Sequence, residues 1–142
     1  MTLVRTKRTF AVGLGAAVVF AGALGVFTAG ASYAQAQSLA GSWAGGGMIT
    51  FPSGERERAR CRVTFRNSGG GGVAMHAVCA TASARVIQNA ALSHLTGSTY
   101  AGEFYNSEYG IQGSIRIRVH SHNKLTASLS GGGGTAQFSL NR

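Results

Sequence analysis

The sequence contains no Asp, and its only acids are Glu55, Glu57, Glu103 and Glu108. Against these stand 13 Lys and Arg, for a formal net charge of +9. The shortage of carboxylates works against most hydrolytic chemistry. Paired-carboxylate glycosidases, two-metal hydrolases and Ser-His-Asp triads all need acids that this chain hardly carries. No G-x-S-x-G motif and no CxxC spacing appears. The chain has one Pro, one Trp and two Cys. Past the first 36 residues no segment shows helical periodicity. A non-enzymatic protein with no catalytic residue, no metal and no cofactor is expected.

The N-terminal region accounts for part of the charge. Arg5, Lys7 and Arg8 precede an uncharged, Gly-rich apolar run at 10–31, and Ala34-Gln35-Ala36 follows. A basic start, an apolar run and an A-x-A site together spell a secretory signal peptide over 1–36, cleaved near Ala36. A retained membrane anchor is the alternative, because an apolar run of this length can span a bilayer. Residues 37–142 then form a single domain, periplasmic or extracellular. That domain keeps ten of the basic residues, of which only Lys124 is a Lys. Both Cys lie in it, and an even pair in an exported chain reads as one disulfide, Cys61–Cys79.

Glycine, serine and asparagine clusters divide the domain into short alternating segments, which predicts strands and turns. The clearest is 56–66. Its odd positions run Glu57, Ala59, Cys61, Val63 and Phe65, while its even positions carry Arg56, Arg58, Arg60, Arg62 and Arg66 around Thr64. After Asn67, Ser68 and the Gly tract 69–72, a second segment puts Val73, Met75, Ala77 and Cys79 on one face. Folding the two as a hairpin with Cys61 opposite Cys79 sets Val63 against Ala77 and Phe65 against Met75. The apolar faces match without a slip, and the two Cys fall within disulfide reach. Further strands are expected at 43–51, 84–92, 99–105, 111–120, 124–130 and 135–140, with the Gly tracts 45–47, 69–72 and 131–134 as turns or bends. Eight short strands with short links predict an all-β, antiparallel up-and-down barrel, with a β-sandwich as the alternative. An outer-membrane barrel fits poorly, since the arginines would face lipid.

The arginine row is the strongest functional signal. Alternate strand residues stand about 6.5–7 Å apart, so Arg56, Arg58, Arg60 and Arg62 form a stripe about 20 Å long, with Arg66 beyond it. Guanidinium groups bind phosphate, sulfate and carboxylate in a planar, bidentate way. The row therefore points to an anionic envelope polymer or a lipid headgroup as partner, such as lipopolysaccharide or acidic polysaccharide. The competing reading is a charged sheet edge that prevents edge-to-edge association. Glu55 and Glu57 read as ion-pair partners of the row. Arg116 and Arg118 would join it only if their strand lay beside this one. His120 and His122 form an H-x-H pair with no further ligand near them, and read as surface residues. His76 and His94 are isolated. Most aromatics fall on apolar faces; Tyr105 and Tyr109 flank a turn. No nucleic-acid signature interleaves aromatics with the basic residues.

The opening of the domain, Leu39-Ala40-Gly41-Ser42-Trp43, resembles the G-x-W start of calycin or lipocalin-like barrels. It is also similar to small periplasmic metalloprotease inhibitors of Gram-negative bacteria, and the whole chain looks like small exported proteins of alphaproteobacteria. The resemblance implies an eight-stranded barrel with one disulfide, with Gly41 and Trp43 forming a motif at the closed end. Together these readings describe an exported binding or envelope protein. Its interior would hold at most one small apolar ligand, and its arginine row would meet anions. A periplasmic protease-inhibitor-like interaction protein is the alternative.

Overall fold

The computed structural model describes residues 38–142; the expected signal peptide and its cleavage site lie outside the described residues. Eight strands follow one another: β1 (Gly41–Thr50), β2 (Arg56–Gly69), β3 (Gly72–Ala80), β4 (Arg85–Thr96), β5 (Thr99–Asn106), β6 (Ile111–Ser121), β7 (Lys124–Gly131) and β8 (Gly134–Asn141). Each pairs antiparallel with the next, and β8 pairs with β1, so the sheet is a closed barrel. Every strand is hydrogen-bonded on both sides, which rules out the sandwich.

Period-two alternation produces this wall. Along β2, Ala59, Cys61, Val63 and Phe65 are buried while Arg58, Arg60, Arg62 and Arg66 are exposed. Along β6, Ile115, Ile117 and Val119 are buried between exposed Arg116 and Arg118. The β2–β3 register pairs Cys61 with Cys79, Val63 with Ala77 and Phe65 with Met75, as the apolar pattern predicts. The disulfide joins opposed interior positions whose Cα atoms are 4.1 Å apart. On the chain-entropy model, closing a loop of this size stabilises the fold by roughly 3 kcal/mol.

Two glycine tracts differ from expectation. The sequence break expected from Asn67 lies partly inside β2, which continues through a register shift to Gly69. The reversal needs only Gly70 and Gly71, at φ of 58° and 78°, a region that glycine enters without steric penalty. The tract 45–47 lies in the middle of β1, within the strand expected at 43–51 and not at a turn. A Cβ on Gly45 or Gly47 would strike the backbone carbonyls of Ser139 and Gln137 in β8. These glycines allow the first and last strands to approach where the barrel closes.

The interior is one cluster of apolar side chains. Its tightest part lies at one end, where β1 and β7 begin and β2 and β6 approach their ends. Trp43, Phe65, Leu39, Ile117 and Leu125 there are each under 3% exposed.

Candidate functional site

The opposite end of the barrel is a mouth. Strand starts and ends bring Ile49, Val86, Gln88, Phe104, Ile111, Leu129, Ala136 and Phe138 around a cavity of about 210 Å³. Phe51, Thr81, Ser83, Ala84, Tyr109 and Thr135 form its rim, and Cys79 places one sulfur of the disulfide in its wall. No charged side chain lines it. Gln88 is the amide facing the cavity, and it has no side-chain hydrogen bond among the described residues.

The rim is held by short hydrogen bonds. Asn106, fully buried, donates from Nδ2 to the Ile87 carbonyl at 3.0 Å and accepts at Oδ1 from the Tyr109 N–H at 2.8 Å. One side chain thus ties β4 to the turn that carries Tyr109. Along the neighbouring stretch of the rim, Ser83 Oγ in the β3–β4 loop donates to Glu57 Oε2 at 2.8 Å. Hydrogen bonds from Thr81 and then Ser83 hold the Glu57 carboxyl below its ordinary pKa. This corrects the expected pairing: Glu57 has the parity of the interior face and meets the β3–β4 loop. Neither it nor Glu55 forms an ion pair with the arginine row among the described residues.

The closed end is sealed differently. Trp43 donates its Nε1–H to the Leu39 carbonyl at 2.9 Å. Arg142 lies with its guanidinium carbon 4.2 Å from the centre of a Trp43 ring. The same guanidinium donates to the carbonyls of Ser38, Ala40 and His122 at 2.8, 2.9 and 2.6 Å. Gly41, at φ 127°, sits beside Arg142, whose Nη1 would be 3.1 Å from a Cβ there.

The arginine row stands on the outer wall. Arg56, Arg58, Arg60, Arg62 and Arg66 are exposed, and their guanidinium groups have no hydrogen bond or ion pair among the described residues. Register adds one residue that sequence order hides. Arg60 pairs with Ala80, and Ala80 with Arg85, so Arg85 lies two strands from Arg60 on the same face. Arg116 and Arg118 do not join them, because β6 is four strands from β2 in either direction round the barrel.

Three of the four histidines are engaged locally through their rings, His122 being the exception among the described residues. His120 is hydrogen-bonded to Thr126 Oγ1 at 2.9 Å, His76 to Asn89 Oδ1 at 2.9 Å and His94 to the Gly97 carbonyl at 2.7 Å. Tyr105 and Tyr109 are about half exposed, at 52% and 50%.

Arg142, Arg85 and Asn106 escape sequence reading because the partners that give each its role lie on other strands or beyond them. Gln88 left a signal: it is the polar member of the inward series Val86, Gln88, Ala90, Leu92.

No protein-family model matches the chain, and a search of curated proteins returns no match. Among solved structures, it is similar to designed barrels. The redesigned β-barrel mFAP1, bound to DFHBI, aligns with a TM-score of 0.62 at 16% identity, covering 73% of this chain and 94% of that one. A de novo designed fluorescence-activating β-barrel aligns at 0.59 and 15% identity, over 75% of this chain and 95% of that one. The redesigned mFAP0, also bound to DFHBI, aligns at 0.61 and 16% identity, over 73% and 98%. These likenesses establish the closed eight-stranded antiparallel barrel.

Proposed function

We propose that this is an exported, non-enzymatic binding protein that holds one small, uncharged, largely apolar ligand in the mouth of its barrel. The cavity carries this reading: about 210 Å³, at the mouth of the barrel, with a predominantly apolar wall. Its size sets the ligand class. An apolar cavity of ~150 Å³ accepts benzene, and drug-sized sites begin near ~300 Å³. The ligand lies between these, as a single ring with a short tail or a short acyl chain does. A charged ligand would lose its hydration with no charged side chain to replace it. The Gln88 amide offers both a donor and an acceptor, enough to orient one hydroxyl or carbonyl.

Two of the similar barrels are bound to DFHBI, which supports a barrel of this architecture as a ligand holder. The disulfide suits an oxidising compartment, and with the signal-like N-terminal region it supports a periplasmic or extracellular location.

The test is a calorimetric titration with 4-propylphenol, a neutral single ring with a short tail. The expected result is saturable binding, lost in Ala136→Trp, whose indole fills the mouth. Fold retention is checked by circular dichroism. Absence of saturation, or undiminished binding by a folded Ala136→Trp variant, would overturn the reading.

A further inference from the structure

The outer face of β2 offers a second site, independent of the mouth. At the centre of the row, Arg60 and Arg62 cannot be explained as guards of a sheet edge, because β2 is there paired with β1 on one side and β3 on the other. A closed barrel has no edge to protect. The row also lacks the partners that would make it a structural ion-pair network. No Glu engages it among the described residues, and Glu57 is bonded to Ser83 instead.

The neighbours of the row are small. Arg62 lies between Ala44 and Val78, and Arg60 between Gly46 and Ala80. The guanidinium groups therefore stand above their surroundings and are open to a ligand. Arg85 widens the row at its centre, about 10 Å from Arg60 across two strand spacings.

The shape of the row selects among anions. Strands in a barrel are tilted by roughly 35–45° to its axis, so the stripe winds round a convex wall. Its ends face different directions. A flat bilayer meets only part of such a stripe, and duplex DNA, with a persistence length of ~50 nm, does not follow it. Single-stranded nucleic acid is bound mainly by stacking on aromatic platforms, and the positions paired with Arg58, Arg60 and Arg62 hold only Met48, Gly46, Ala44, Ala80 and Val78. A flexible chain that bears carboxylates or sulfates at intervals fits these conditions.

We propose that Arg56, Arg58, Arg60, Arg62 and Arg85 form a binding track for a flexible acidic polysaccharide. Each guanidinium takes a carboxylate or sulfate as a paired hydrogen-bond acceptor. Binding is electrostatic and weakens as salt rises.

The test measures binding of the full exported domain to polygalacturonate at low salt. Two variants with the same change in net charge are compared. Arg58→Glu/Arg60→Glu breaks the track, while Arg116→Glu/Arg118→Glu lies on the opposite side of the barrel. The first is expected to weaken binding by about tenfold or more, and the second by less than about twofold. Arg58→Gln/Arg60→Gln repeats the test without charge reversal and is expected to weaken binding in the same direction. Equal loss in both Glu variants would reduce the effect to net charge and overturn the proposal, as would no binding at low salt. Tighter binding of a single-stranded oligonucleotide or of phosphatidylglycerol vesicles would overturn the choice of polymer. Retention of 4-propylphenol binding by the arginine variants shows that the mouth is intact, so the two proposals fail separately.

Discussion

The two ends of the barrel are made by the same alternating strands, yet one is filled and the other is hollow. At the closed end the inward positions carry Trp43, Phe65, Ile117 and Leu125, all almost inaccessible. Toward the mouth the inward positions of four strands are Gly47, Gly113, Gly131 and Gly134. A Cβ at any of them would strike the backbone of an adjacent strand or turn. The glycines that let the sheet bend also remove side-chain volume from one end. In a small barrel, curvature and cavity thus share a cause: positions that cannot carry a Cβ cannot fill the interior either.

The sharpest way to break this contrast is to hollow the closed end. Trp43→Ala is expected to lower unfolding free energy by about 3–5 kcal/mol, the usual loss for a buried aromatic. For a domain with ~5–15 kcal/mol in total, that is a large fraction. Urea denaturation measures it; a loss below about 1 kcal/mol would mean that the closed end contributes no more than the mouth.

Arg142→Ala comes next. It removes the contact with the Trp43 face and three hydrogen bonds to carbonyls. Because Arg142 is exposed, the expected loss is only about 1–2 kcal/mol. Probe binding at the mouth is expected to stay unchanged. Arg142→Lys is expected to recover only part of the loss, since an ammonium lacks the planar fork that reaches several carbonyls. Full recovery in the melting temperature would assign the effect to charge alone.

The smallest expected effect is at the rim. The Glu57 carboxyl is held below its ordinary pKa by hydrogen bonds from Thr81 and Ser83. Its contribution is therefore present above the unfolded-state value and is lost as pH falls through the folded-state value. Between pH 7 and pH 3, the melting temperature of the native protein is expected to fall more than that of Glu57→Gln. Parallel curves would show that this carboxylate does not link the rim to pH.

Much of the wall was legible in the sequence. Cys61, Val63 and Phe65 can be matched to Cys79, Ala77 and Met75 because a hairpin is local and a one-residue slip would turn every apolar side chain outward. Strand ends were less legible. β4 runs on to Thr96, past the apolar pattern that ends at Leu92, because its polar end remains paired with β5. The tract 45–47 was legible within the strand at 43–51 and also as a turn or bend, but not its reason, because the constraint comes from β8, far along the chain. The arginine row was visible as alternation, but Arg85 joins it only through two successive cross-strand pairings. Arg142 had no pattern at all, since its partners at Ser38 and Ala40 are more than a hundred residues away.

The seam between β1 and β8 also governs when the molecule comes into being. Seven of the ladders join neighbours in the chain and can form as hairpins, whereas this one joins Gly41–Thr50 to Gly134–Asn141. Until Gly134–Asn141 has been delivered, the sheet remains an open ribbon with two unpaired rims. Long-range closure of this kind is slow, and the open ribbon is the stage most exposed to wrong pairing. Folding is therefore gated by delivery of the closing strand, so the last residues of the chain decide when the barrel exists at all.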